Sequence, residues 1–253
     1  MVDIHSHILW GLDDGAETLE QSLEMLRAAA EAGTTDIVAT PHANFEYGFD
    51  AAVIGARIQE LDEAAGGVPR IHRGCDFHLS PENIEDGLRN PSKYTINGKS
   101  YLLVEFPDLF ISPSMGEVFR KFLDRGVIPV ITHPERNPAL MEQAERLEEW
   151  TELGCLSQVT AQSLTGAFGR PVEDAAWELV ERGLIQFGAS DAHDPRDRHP
   201  RLDRAWKTVS ERRGEAVAHR LFVSNPRAAL AGEALPDVAE TPRPKGKWFG
   251  LWG

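Results

Sequence analysis

Asp3-Ile4-His5-Ser6-His7 ends the first short apolar run of the chain. Alternate side chains of an extended strand project to one side, so His5 and His7 point their rings the same way. Two imidazoles so placed suit one metal ion. Working outward, short apolar runs that end in a histidine or a carboxylate recur along the chain, separated by stretches of helical periodicity.

Residues 17–32 place Leu19, Leu23, Leu26 and Ala30 at helical spacing, with Gly33 as a stop. Asp36-Ile37-Val38-Ala39 reads as a buried strand ended by Thr40-Pro41-His42. A second helix is expected over 51–65, closed by Gly66-Gly67, and a strand over 70–74 leads into Cys75-Asp76-Phe77-His78. Residues 81–88 suit a short helix with Pro81 in its first turn. Asn97-Gly98 marks a turn before the strand Tyr101-Leu102-Leu103-Val104-Glu105. Beyond it, helices are expected over 114–125, 138–153 and 172–182. Strands are expected over 127–132, which leads to His133, over 155–159, and over 184–188, which leads to Ser190-Asp191-Ala192-His193. Two or three helical stretches occupy 202–230.

Strands alternating with helices predict parallel strands joined by right-handed crossovers. Seven strands are expected, near Ile4, Val38, Ile71, Leu103, Ile131, Leu156 and Ile185, and six of them deliver a His, Asp or Glu at or just past the carboxyl end. A closed barrel keeps its chemistry at that end. An open doubly wound sheet would show a glycine-rich phosphate turn after the first strand, where this chain has histidines. The expected fold is α/β, a distorted (β/α)7 barrel over residues 1–240, followed by a basic-aromatic tail over 241–253.

The 253 residues suffice for one large domain of that size, or for two small ones, with a substantial core. The formal net charge of −14 argues against a nucleic-acid partner. No apolar stretch is long enough for a membrane span, and the start lacks the basic-then-apolar pattern of a signal peptide. Cys75 and Cys155 do not make a disulfide framework, so a reducing cytoplasm is expected.

Nine side chains form the candidate metal set: His5, His7, Asp14, His42, Asp76, Glu105, His133, Asp191 and His193. Imidazoles and carboxylates together suit zinc, manganese or iron(II). Nine donors are too many for one ion and suit two or three divalent ions that share a bridging carboxylate. Such a cluster lowers the pKa of a bridging water and clamps the oxygens of a displacement, which is phosphoester hydrolysis chemistry. Asp13 and Asp14 equally suit a turn or a helix cap before Glu17. Arg136 and Arg198 follow His133 and His193 on loops above the rim, where guanidinium groups bind phosphate oxygens, although either arginine also suits an ordinary surface ion pair. His72, His199 and His219 receive no role.

A cysteine-dependent phosphatase needs an arginine six positions after the thiolate, and those positions hold Pro81 and Ala161. Gly188-Ala189-Ser190-Asp191-Ala192 lacks the last glycine of a serine-hydrolase elbow.

The motifs His5-Ser6-His7, Asp13-Asp14-Gly15, Thr40-Pro41-His42, Val104-Glu105-Phe106-Pro107, His133-Pro134-Glu135-Arg136-Asn137 and Ser190-Asp191-Ala192-His193 resemble the PHP (polymerase and histidinol phosphatase) superfamily. Within it they are most similar to the CpsB/CapC type, the manganese-dependent protein-tyrosine phosphatases of bacterial capsule and exopolysaccharide operons. The resemblance runs nearly end to end. It implies a trinuclear site, often with manganese: His5, His7, Asp76 and Asp191 for one ion, Asp76, Glu105 and His133 for the second, and Asp14, His42 and His193 for the third. It also implies that Arg136 and Arg198 bind phosphate. The implied substrate is phosphotyrosine on a membrane-associated bacterial tyrosine kinase that controls polysaccharide export.

One position departs from the family pattern: Asp76 stands where a bridging glutamate is usual, with His78 two residues on as a rim residue. The expected mechanism is in-line attack by a bridging hydroxide, with Arg136 and Arg198 neutralising the phosphoryl oxygens and His42 or a water as acid. A histidinol-phosphate-like small-molecule phosphatase on the same barrel, and a metal-free regulatory relative, are the alternatives. The tail, from Pro242 to Gly253, combines cations with Trp248, Phe249 and Trp252 and suits weak contact with a membrane surface or a kinase.

Overall fold

The computed structural model describes residues 1–107 and 111–236. Strands and helices alternate along them: β1 (Val2–Ser6), α1 (Leu19–Glu31), β2 (Asp36–Ala39), β3 (His42–Ala43), α2 (Ala51–Ala65), β4 (Arg70–Arg73), β5 (Asp76–His78), α3 (Pro81–Arg89), α4 (Pro91–Tyr94), β6 (Tyr101–Glu105), α5 (Met115–Leu123) and β7 (Ile128–Thr132). There follow α6 (Pro138–Met141), α7 (Ala144–Leu153), β8 (Leu156–Thr160), α8 (Arg170–Glu181), β9 (Phe187–Ala189), α9 (Asp203–Arg213), α10 (Glu215–His219) and α11 (Asn225–Ala231).

Local chemistry sets the helix boundaries. Thr18 caps α1 by accepting a hydrogen bond from Gln21 N, and the helix buries Met25, Leu26 and Ala29. Asp50 caps α2, which ends at Gly66 in the left-handed conformation. The helix expected over 138–153 is two helices, because Gln143 leaves helical geometry (φ −129°, ψ 40°). The last strand is shorter than expected and shifted toward the site, at Phe187–Ala189.

Among the described residues all strand pairs are parallel. One sheet has the order β1-β2-β4, the other β3-β5-β6-β7-β8-β9. The seven expected strands appear as seven chain passes, two of them interrupted. Thr40-Pro41 separates β2 from β3, and Gly74-Cys75 separates β4 from β5. Proline has no N–H to give the ladder. At Gly74 the chain passes so close to β2 that a Cβ would lie 2.7 Å from Val38 Cγ1. Hydrogen bonds from Thr40 N to Ser6 O, Gly74 N to Ala39 O and Asp76 N to Pro41 O carry the pairing across these breaks. The fold is thus mixed α/β with parallel sheets. At the far side β1 meets the end of β9 through Asp191 N to His5 O (2.9 Å) and His7 N to Ala192 O (2.8 Å).

One apolar cluster draws Val2 and Ile4 from β1, Val38 from β2, Leu103 from β6, Val130 from β7 and Phe187 from β9, so both sheets share it. A larger cluster under α5, α7 and α9 contains Phe77, Phe119, Phe122 and Trp150. No helix among the described residues is long and apolar enough to cross a membrane. The tail expected to touch a membrane or kinase, 242–253, lies outside the described residues.

Candidate active site

The carboxyl ends of the strands carry the site. His5 and His7 are buried on one side of β1, with their Nε2 atoms 3.3 Å apart, while Ser6 points the other way and donates from Oγ to Val38 O. Each ring is held at its other nitrogen. His5 Nδ1 lies 3.0 Å from Gln158 Oε1, His7 Nδ1 lies 2.7 Å from Asp13 Oδ2, and His193 Nδ1 lies 2.9 Å from the Asp191 carbonyl. These oxygens only accept, so Nδ1 carries a proton and Nε2 faces inward, where a cation could take the place of the ring's second proton.

The inward nitrogens meet carboxylates at distances too long for strong pairing. His5 Nε2 is 3.5 Å from Asp76 Oδ2 and 3.4 Å from Asp191 Oδ1, and His7 Nε2 is 3.5 Å from Asp191 Oδ1. His42 spans two groups: its Nε2 is 3.3 Å from Asp14, and its Nδ1 is 3.3 Å from Asp76 and 3.5 Å from Glu105. His193 Nε2 is 3.4 Å from Asp14, and His133 Nε2 is 3.6 Å from Glu105. His133 (φ 33°) and Asp191 (φ 51°) sit in the left-handed region, where non-glycine residues are uncommon and cluster at functional sites.

Donor atoms within 4.8 Å of one another form four overlapping groups: His7, Asp14, His42 and His193; His5, His7 and Asp76; His5, His133 and Asp191; His42, Asp76 and Glu105. All nine residues expected from sequence therefore meet. Glu105 and His133, assigned to one ion by the resemblance, fall in different groups here. His5, His7 and Asp76 lie beneath a cavity of about 180 Å³, and the other six line it together with Arg136, Asn137 and Arg198. Both arginines pair with Asp191 Oδ2, Arg198 Nη2 at 2.6 Å.

The donor set fits divalent cations. Both Asp76 oxygens and His42 Nδ1 are buried without a hydrogen-bond partner, a costly state for a carboxylate unless a cation meets it. Imidazole and carboxylate donors suit zinc, manganese and iron(II), and one ion cannot satisfy four groups.

The electrostatics reflect the crowding. Burial opposes the charge of Asp76 and Asp191, yet neighbouring His5 holds both well below the usual carboxylate range. Burial and the Asp76 charge push Glu105 up. Burial lowers His7, but Asp13 outweighs it and carries the ring up to about 9. Burial also lowers His42, but the adjacent Asp14 and Asp76 carboxylates outweigh it and raise the ring to about 11. Burial pulls His133 down to about 3 and His193 down to about 4. Protons compensate the carboxylates in this arrangement, and divalent cations can take that role.

Three further residues belong to the site without having been read as such. Asp13 accepts from His7 Nδ1, from His42 N (3.1 Å) and from Gly15 N (3.0 Å). Gln158 comes from β8, whose tip carries no His, Asp or Glu. Glu135 is buried and accepts from Thr160 N (2.9 Å) and Ser163 Oγ (2.7 Å), which fixes the turn that carries Arg136. Thr18, rather than Asp14, caps α1. His78 ends β5 and is not among the residues lining the cavity.

Residues 1–231 match the family model described as capsular polysaccharide synthesis, CpsB/CapC. CapC of Staphylococcus aureus is 34% identical over 99% of this chain and 100% of its own length. The tyrosine-protein phosphatase YwqE of Bacillus subtilis is 32% identical over 100% of both chains, and the tyrosine-protein phosphatase CpsB of Streptococcus agalactiae is 30% identical over 91% of this chain and 98% of its own. A solved structure from work on B. subtilis YwqE and Streptococcus pneumoniae CpsB, described as metal-dependent tyrosine phosphatases, superposes with a TM-score of 0.87 at 32% identity, covering 93% of this chain and 96% of that one. A β-aspartyl dipeptidase of Fervidobacterium islandicum shares the fold alone, with a TM-score of 0.59 at 14% identity.

Proposed function

The chain belongs to the capsular polysaccharide synthesis family CpsB/CapC, and from that premise we propose that it is a metal-dependent phosphatase that hydrolyses phosphotyrosine on proteins. The observation that carries this reading is the meeting of nine histidine and carboxylate donors, six of which line one cavity together with Arg136 and Arg198. The family relatives named as tyrosine-protein phosphatases support the substrate class.

His5, His7, Asp76 and Asp191 would hold one divalent ion, Asp14, His42 and His193 another, and Glu105 with His133 a third shared with Asp76. Manganese is the proposed metal. When bound, the ions supply an ionised water as nucleophile and offset phosphoryl charge. The remaining work falls to the protein. Arg136 and Arg198 grip the phosphoryl oxygens, and Glu135 keeps the first of them in register through Thr160 and Ser163. His5, His7 and His193 keep fixed orientations through Gln158, Asp13 and the Asp191 carbonyl. The tyrosine oxygen leaves readily because a phenol has a pKa of about 10, so His42 at the cavity wall meets a modest demand as proton donor.

The two sheets are proposed to form one distorted barrel of seven strands. Support comes from the shared apolar cluster and from the hydrogen bonds that join β1 to the end of β9. The proposed partner is a bacterial tyrosine kinase of polysaccharide export, and the proposed compartment is the cytoplasm, in keeping with the two free buried cysteines.

The test is a substrate comparison with manganese-loaded enzyme. Phosphotyrosine peptide is expected to be hydrolysed at least tenfold more efficiently, by kcat/KM, than histidinol phosphate, and rapid quench is expected to trap no phosphoenzyme. A preference for histidinol phosphate would overturn the protein-substrate reading.

A further inference from the structure

The loop from β3 to α2 carries Phe45, Tyr47 and Phe49 at alternate positions, and the three rings have different environments. Phe49 packs inward, its ring 5.1 Å from that of Tyr94. Tyr47 lies nearly parallel to His42, at 6.1 Å and 13°, and His42 lines the cavity. Phe45 is 95% exposed, ahead of Val68 at 64% and Val53 at 43%. Single exposed apolar side chains are ordinary on a protein surface. This one is unusual in being held out by a pinned turn beside the site. Asn44 Oδ1 accepts from Glu46 N (2.9 Å) and Tyr47 N (2.8 Å), and Asn44 N donates to Tyr47 O. Asn83 Nδ2 donates to Ala43 O (2.7 Å) and anchors the base of the turn, and Asp50 caps α2 directly after it.

The cavity of about 180 Å³ is smaller than the roughly 300–1,000 Å³ that encloses a drug-sized ligand. A cavity of that size has room for the phosphorylated end of a side chain, which would leave the rest of a peptide substrate across the rim. That rim is polar at Asp14, Arg136, Asn137 and Arg198. An exposed phenylalanine on a rigid turn supplies apolar contact there with little ordering cost. We propose that the turn Asn44 to Tyr47 is a substrate-docking element in which Phe45 takes an apolar side chain adjacent in sequence to the phosphotyrosine. This rests on the phosphotyrosine reading above and adds a preference for flanking residues to it.

The experiment uses the metal-loaded full chain with three substrates: a capped pentapeptide with phosphotyrosine between two leucines, its counterpart with two glycines, and p-nitrophenyl phosphate. Wild type is expected to show a lower KM for the leucine peptide than for the glycine peptide. Phe45→Ala is expected to raise the leucine-peptide KM about five- to tenfold, with kcat and both other substrates unchanged, and Phe45→Tyr is expected to retain the preference. An unchanged leucine-to-glycine ratio in Phe45→Ala, or equal losses on all three substrates, would overturn the proposal. Failure of wild type to hydrolyse either peptide while turning over p-nitrophenyl phosphate would overturn the phosphotyrosine reading and this one with it.

Discussion

Asp13 is engaged on three sides, by His7 Nδ1, by the backbone N–H of His42 and by that of Gly15. Its neighbour Asp14 has a side chain 48% exposed and faces His42 and His193. Two adjacent aspartates are chemically alike in sequence, and only the fold decides which one supports a ring and which one faces the cations. Gln158 was equally hidden, since a neutral amide within a β run carries no metal signature. Most of the other donors were legible because they stand at or just past the end of a strand-like run, whereas Asp14 was read with the support of the family resemblance. Asp13→Ala removes the acceptor that fixes the His7 tautomer. Metal affinity is expected to fall by about 10–100-fold, measured by calorimetric titration with manganese, while the far-UV circular dichroism spectrum is retained. The cysteines give a second expectation at this scale. Burial raises the thiols of both Cys75 and Cys155, the latter to about 12. Iodoacetamide is therefore expected to leave the native protein unmodified and active, with both thiols alkylated after denaturation. Inactivation of the native enzyme by single alkylation would contradict a role-free burial of both.

The elements were legible where periodicity and glycine stops coincide, as in α2 over Ala51–Ala65 and β6 over Tyr101–Glu105. They were less so where a break leaves the chain direction unchanged. Thr40-Pro41 and Gly74-Cys75 read as strand ends, yet β3 and β5 continue beyond them and hold His42 and Asp76. The first break follows from proline's missing N–H, while the second follows from the close approach of Gly74 to β2, which a single sequence does not display. The same closeness appears at Gly188 in β9, where a Cβ would lie 2.3 Å from Phe222 Cε1. The Phe222 ring is fully buried and has little room to withdraw. Gly188→Ala is expected to destabilise the protein by about 1–3 kcal/mol, as overpacking does. At roughly 2–4 °C per kcal/mol for a chain of this size, the shift is readable by calorimetry. An unchanged Tm would show that Phe222 moves freely.

At the scale of the whole molecule, the alternation of strands and helices announced parallel sheets, and the placement of His, Asp and Glu after six strands announced one shared site. The meeting of β1 with the end of β9 is a contact between segments far apart in sequence, and nothing local in either segment signals it. It matters because it brings His5 and His7 to Asp191 and His193. The acidic body, with a net charge of −14, makes the site a strong attractor of divalent cations. Anomalous scattering from crystals grown with manganese tests this most directly. At least two difference peaks are expected among His5, His7, Asp14, His42, Asp76, Glu105, His133, Asp191 and His193, with loss of the peaks and of phosphatase activity after chelation and return of both with manganese. Crystals without a peak among these nine side chains, from enzyme equally active in excess chelator, would contradict the account.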